Sequence, residues 1–325
     1  MFNVGNILAI LAPSYEVLML ARICTAIVSG VTLSTVMTFI NDIIPQEQAP
    51  RIISFVYAGF SVASVLGTPI GTLLSDAFGI KSAFVAVEAV ALLVTVLLLI
   101  SVPRSGSTDV SSSVREQLVI LKDRRIILVL VMKAFGMAAT YVFYVYVTPI
   151  LEDSVGLSVW MVSLVLFFYG GATIVSNLGS GSLAQRYGLG KLPLMFALQA
   201  VVLVLLGVSL ASGNTVLCII NVVLTGVFIY HMNAPLQSYL LQVSAKDYPR
   251  ALTLASAVMP TSSDIGIATG SFMGGVVATN LGFAWSGPVG AVLAVVSVVA
   301  AFMILQPESR MGGSLRSRLR RNRKQ

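Results

Sequence analysis

The sequence predicts an all-α polytopic membrane protein built from two related helical bundles, and three observations predict it. Apolar segments of about 20 residues follow one another along the whole chain, each long enough to cross a ~30 Å hydrocarbon core. Of the 325 residues, 57% are hydrophobic and only 10% charged, with a mean hydropathy of +0.93; ordinary soluble domains carry roughly 25% charge. The third observation is an ungapped internal repeat. Ala12, Val17, Leu18, Arg51, Gly67 and Gly71 recur as Ala211, Val216, Leu217, Arg250, Gly266 and Gly270, always 199 positions later. Repeated halves in an apolar chain point to a secondary transporter.

Ten apolar segments can be marked: 1–14, 16–41, 52–75, 82–102, 126–150, 157–183, 191–212, 214–241, 251–278 and 283–305. All are expected to be helices, because an isolated strand cannot satisfy its backbone in lipid. The first is short: from Met1 to Leu11 a helix rises only ~16 Å. Four segments precede the long polar connection and six follow it, so the repeat leads us to expect that two further helices and the start of this one are missing, the sequence being either a fragment or a genuine truncation. Residues 1–102 are then an incomplete first bundle and 126–306 a six-helix second bundle. Residues 103–125 read as a linker, within which Val114 to Arg124 is a candidate surface helix. Residues 307–325 form a basic tail.

The connections alternate in charge. Of 20 Lys and Arg, 17 lie in one set of connections and the tail, Lys81 in the other set, and Arg22 and Lys133 inside segments. The positive-inside rule puts the basic connections and both termini in the cytoplasm, at the cell (inner or plasma) membrane. The net charge of +7 therefore reflects topology and implies no nucleic-acid partner. Cys24 and Cys218 both fall in apolar segments, so neither a disulfide framework nor a metal spacing is indicated. No cofactor, nucleophile or paired acid–base set appears, which argues against an enzyme.

The chemistry to seek is thus polar side chains at membrane depth. Lys133, Met137, Thr140, Tyr144 and Thr148 share one helical face, as do Arg22, Thr25, Ser29 and Thr32. Tyr169, Thr173, Ser176/Asn177 and Ser180 form a third face. Asn221, Thr225, Phe228, His231 and Pro235 form a fourth, with Asn233 and Gln237 beside it. Together they suggest a shared cavity in which Lys133, Tyr144, Tyr169, Asn221, His231 and Gln237 are substrate-contact candidates. Singly, each Ser, Thr or Asn is equally explained by interhelical hydrogen bonding. Arg22, Glu88 and Asp264 are candidates for proton coupling. Asp264 lies deepest, and Lys133 is its natural partner, although counting from the segment ends separates the two by roughly 10 Å in depth. Arg22 and Glu88 sit only ~10 Å below the outer surface, within snorkelling range.

Gly59, Gly67, Pro69 and Gly71, in the run Gly-Phe-Ser-Val-Ala-Ser-Val-Leu-Gly-Thr-Pro-Ile-Gly, present small residues for close helix packing and a proline bend. This run resembles the helix-5 antiporter motif of the major facilitator superfamily, in the variant of its sugar-efflux (arabinose-efflux-like) members of the drug/proton antiporter branch. Leu20-Ala-Arg22 followed by Gly30 is similar to that family's helix-4 motif. Gly179-Ser-Gly181-Ser-Leu-Ala-Gln-Arg186-Tyr-Gly188 is similar to its loop motif, with Gln185 where the family has Asp. Val147-Thr-Pro149-Ile-Leu-Glu152 and Asp264-Ile-Gly266 also resemble the branch, many relatives having Asn at the position of Asp264. The resemblance covers the chain as family helices 3 to 12. It implies a major-facilitator-type two-bundle fold, a monomer in the lipid bilayer, and an antiporter whose efflux of a small solute is driven by protons. An importer or facilitator of the same fold, and a non-transporting remnant, fit the same residues.

Overall fold

The computed structural model describes residues 1–101 and 117–306. Eleven helices account for most of them, and they follow the apolar segments. The first bundle holds α1 (Phe2–Leu11), α2 (Tyr15–Ile43), α3 (Ala49–Phe78) and α4 (Lys81–Ser101). The second holds α5 (Arg124–Tyr144), α6 (Val159–Tyr187), α7 (Leu192–Ala211), α8 (Thr215–Phe228), α9 (Asn233–Asp247), α10 (Leu252–Asn280) and α11 (Ser286–Leu305). Among the described residues eight spans are long and apolar enough to cross a membrane, with Thr215–Asp247 counted as one. Their outward faces carry Leu, Val, Ile and Phe, as a lipid-facing surface requires. The tail, and the linker up to residue 116, lie outside the described residues; of the candidate surface helix only a short turn, Leu118–Lys122, is seen.

Two expectations change. Segment 126–150 is α-helical to Tyr144, is interrupted at Val145 and Tyr146, and resumes as a short helical turn, Val147–Pro149, that widens into a π-helical turn, Ile150–Ser154. Segment 214–241 is broken rather than continuous, α8 ending at Phe228 and α9 starting at Asn233. Pro235 supplies the reason: it has no N–H for the carbonyl four residues back, at His231, so the helix can restart but not run through. Other groups satisfy the freed backbone. Tyr230 N donates to Ser176 Oγ (3.0 Å), Ala234 N to Ser180 Oγ (3.4 Å), and His231 Nδ1 lies on the Phe228 carbonyl.

α5 and α10 run parallel and are pinned every fourth residue. Ser262 Oγ donates to the Leu130 carbonyl (2.7 Å). A Cβ on Gly266, Gly270 or Gly274 would meet the carbonyl oxygen of Ala134, Ala138 or Val142 at under 3.0 Å. Only glycine lets two backbones approach so closely. Gly67 and Gly71, the repeat counterparts of Gly266 and Gly270, and Gly59 behave differently: a Cβ there meets nothing within 4 Å among the described residues. The close packing expected of the first glycine run is therefore found in its second copy. α3 itself is assigned as one helix through Pro69.

At the basic end of the second bundle, Asp123 caps α5, accepting from Arg125 N (2.8 Å). It also pairs with the Arg125 guanidinium (2.7 Å) and accepts from Tyr248 OH (3.1 Å). The Arg125 hydrogen bond holds the Asp123 carboxyl below its ordinary value. A lowered folded-state pKa contributes stability that is present above the unfolded value, about 3.9, and is lost as pH falls through the folded one. Asp123→Ala is therefore expected to cost about 1 kcal/mol from the lost cap. The deficit in thermal unfolding should be constant near neutral pH and shrink only in strong acid.

Candidate functional site

The two bundles meet most extensively along α3 and α6, and the seam is polar. Near its basic end, Gly181 of α6 lies against Ser54 of α3, and Gln185 Nε2 donates to the Glu47 carbonyl (3.0 Å). Gln185 thus bonds across the bundles. Arg186 is exposed, its guanidinium over the Tyr187 ring (5.6 Å), and Gly188 ends α6 with φ 55°.

One to two turns deeper lies a connected buried network. Asn177 Nδ2 donates to Tyr57 O (3.1 Å) and Ser61 Oγ (2.8 Å), both on α3. Asn177 Oδ1 accepts from Asn233 Nδ2 (2.6 Å). Asn233 Oδ1 in turn accepts from Lys133 Nζ. Tyr57 OH donates to Gln237 Oε1 (3.2 Å), and its ring lies 5.6 Å from the Lys133 ammonium. Lys133 is 2% exposed, and Asn177, Asn233 and Gln237 are as deeply buried. Four helices and both bundles contribute to this hub.

Next to it is a cluster of phenol rings. Tyr144 stacks on Tyr169 (centroids 4.8 Å), and Tyr141 meets Tyr144 edge-on (5.5 Å). Tyr230, in the break between α8 and α9, hydrogen-bonds Tyr141. Asp264 is exposed on α10 and acts electrostatically on both Tyr141 and Lys133. The α5–α10 register places residue 264 level with residue 132, because 262 bonds to 130 and 266 packs on 134. This removes the depth difference expected from segment ends: α10 starts nearer the basic end than α5 does. The two charges share a level but form no ion pair within 4 Å among the described residues.

Of the expected contact residues, Lys133 and Gln237 meet around Tyr57, and Tyr144 and Tyr169 stack on each other. Asn221 is turned away; its amide donates to the Leu217 carbonyl (2.9 Å) and Ser209 Oγ (3.4 Å), holding α8 to α7. His231 is buried edge-on against Phe196 (4.8 Å) at the helix break. Arg22 is exposed, over the Phe84 ring (5.6 Å). Glu88 is not a snorkelling surface group: it is 5% exposed, and both carboxylate oxygens are without a hydrogen-bond partner among the described residues. Arg22 thus lies one turn of α4 from Glu88, while Asp264 stands on α10 beside α5. The hub residues missed in the sequence are Tyr57 and Ser61. Ser54, Tyr57 and Ser61 follow 3- and 4-residue spacing, a polar face on an apolar helix that periodicity would have exposed.

A family model described as Major Facilitator Superfamily matches residues 1–253. The MFS-type transporter YtbD of Bacillus subtilis, described as uncharacterized, is 31% identical over 299 residues, 92% of this chain and 75% of that protein. The inner membrane transport protein YdhP of Escherichia coli K12 is 26% identical over 311 residues, covering 95% and 78%. Among solved structures, the transporter FucP in its outward conformation superimposes with a TM-score of 0.73 at 15% identity, over 94% of this chain and 81% of that one. A bacterial homologue of the iron transporter ferroportin, in an outward-facing state, gives 0.67 at 16%, over 89% and 72%. At these identities the structural likeness is one of fold.

Proposed function

The chain belongs to the major facilitator superfamily, and from that premise we propose that it exports a small organic solute in exchange for protons by alternating access. Membership makes it a multi-pass membrane transporter and not an enzyme. The observation that carries the mechanism is the hub around Asn177. Its bonds to Tyr57 and Ser61 cross from one bundle to the other, and rocking the bundles apart must break them. Interhelical hydrogen bonds of this kind are worth about 0.6 kcal/mol each in a membrane. A few of them hold one state closed without freezing it.

Three features support the finer reading. Gly59 to Gly71 has the antiporter form, which is why we assign export. The basic connections are assigned to the cytoplasm by the positive-inside rule, so the sealed seam closes the inner side. Glu88, buried without a hydrogen-bond partner among the described residues, is the carboxyl we assign to proton exchange, with Arg22 as a surface residue and Asp264 as the charge facing Lys133. Sugars, nucleosides and amphiphilic drugs all suit a site of amides and phenol rings.

The test is efflux from preloaded cells expressing the chain. Efflux is expected to collapse when a protonophore is added, and Glu88→Gln is expected to lose the same proton dependence. Efflux indifferent to the proton gradient would remove the coupling assignment. Accumulation of labelled solute in energised cells would reverse the direction and make the protein an importer or facilitator. Absence of any flux would leave a non-transporting member.

A further inference from the structure

Lys133 places an ammonium inside the membrane span with no acid upon it among the described residues. Its closest partners are neutral: the Asn233 amide oxygen and the face of the Tyr57 ring, 5.6 Å away. A cation this deeply buried is stable only when paired, since charges at membrane depth are costly and functional by default.

Its surroundings add positive potential. Asn233 is the first residue of the 15-residue α9, so the ammonium sits at the positive end of that helix dipole. One turn further along, Gln237 is fully buried, and its Nε2 donor has no acceptor among the described residues. Asp264, the acid whose charge Lys133 feels, stands at the same level but is not in contact. Among the described residues no negative charge stands at contact distance from Nζ.

We infer that Lys133 is the docking point for a negatively charged group on the solute, a carboxylate or a phosphate ester. This rests on the transporter reading and narrows it. A neutral sugar would leave the ammonium uncompensated, and a cationic drug would be repelled. An anion on Nζ replaces the distant Asp264 as counter-charge and can accept from Gln237 Nε2 as well. Nζ has three N–H donors and gives one to Asn233, so the ammonium that takes the anion is also a member of the inter-bundle hub.

The test is binding to the purified full chain in detergent, read by calorimetry, with matched probes. Glucose 6-phosphate and gluconate are compared with glucose, and uridine 5′-monophosphate with uridine. At least one anion is expected to bind while its neutral partner does not. Lys133→Met should weaken that anion roughly thirty-fold or more, as for truncating one partner of a buried charge pair. Lys133→Arg should largely restore it. Gln237→Leu, which removes no charge, should weaken it only a few-fold; it serves as the second variant should Lys133→Met elute aggregated. The inference is overturned if no anion binds, if the neutral partners bind equally, or if Lys133→Met binds the anion undiminished. Anion binding without flux in proteoliposomes sinks the transport reading and leaves this site standing. Flux of a neutral solute alone does the reverse.

Discussion

Gly270→Leu is expected to prevent the protein from accumulating in the membrane, whereas Gly71→Leu, at the matching position of the repeat, is expected to leave accumulation near normal. At Gly270 the first side-chain carbon already collides with the Ala138 carbonyl of α5. Backbone cannot step aside as a flexible side chain can. Overpacking a tight contact costs typically 1–3 kcal/mol and more where nothing yields. Here two helices pinned along four turns would have to separate, so the upper end applies. At Gly71 the new side chain meets nothing within 4 Å among the described residues. The two variants, fused to a fluorescent reporter and compared by size-exclusion chromatography, check this directly. Equal loss in both would show that Gly71 is as tightly packed as its counterpart.

The second large effect concerns the hub. Asn177→Leu should open the seam between α3 and α6. The substitution removes the two bonds to α3 and the one from Asn233, and it leaves Asn233 Nδ2 without an acceptor. Three bonds at about 0.6 kcal/mol each, with an orphaned buried donor at about 1–3 kcal/mol, shift the balance by roughly 3 kcal/mol. That is about a hundred-fold in population. A cysteine at Ser54, buried in the seam beside Gly181, reports it once Cys24 and Cys218 are replaced by serine. Maleimide labelling of Ser54→Cys should rise strongly in the Asn177→Leu background and efflux should fall. Unchanged labelling would mean the seam is held by apolar packing alone.

How much of this was legible beforehand follows from what apolarity encodes. Helix positions were, because a run such as 191–212 has one stable conformation in lipid. The break at Ile229–Met232 was not, since one histidine does not end an otherwise apolar run of helical length and only Pro235 marks it. The Lys133–Asp264 relation was misread because depth was counted from the ends of apolar runs. Register is set instead by Ser262, Gly266 and Gly270 resting on α5. Helical periodicity placed Lys133 and Tyr144 on one face and Tyr169 on another, and set Gln237 beside a third. Asn221 was lost because periodicity gives a face without saying what lies opposite, and its amide serves α7. Tyr57 and Ser61 share α3 with the glycine run, whose small residues dominate the pattern of that helix.

The gap between α8 and α9 has a mechanical meaning. A continuous helix transmits a push at one end to the other as a rigid lever. Here four residues are bridged by serine hydroxyls and an imidazole rather than by a helical ladder, so the two arms can swivel against each other. Displacing Asn233 would therefore turn the lower arm, from Asn233 to Asp247, while the upper arm stays clamped to α7. In effect the span is jointed like a knee, and the joint adjoins the lysine.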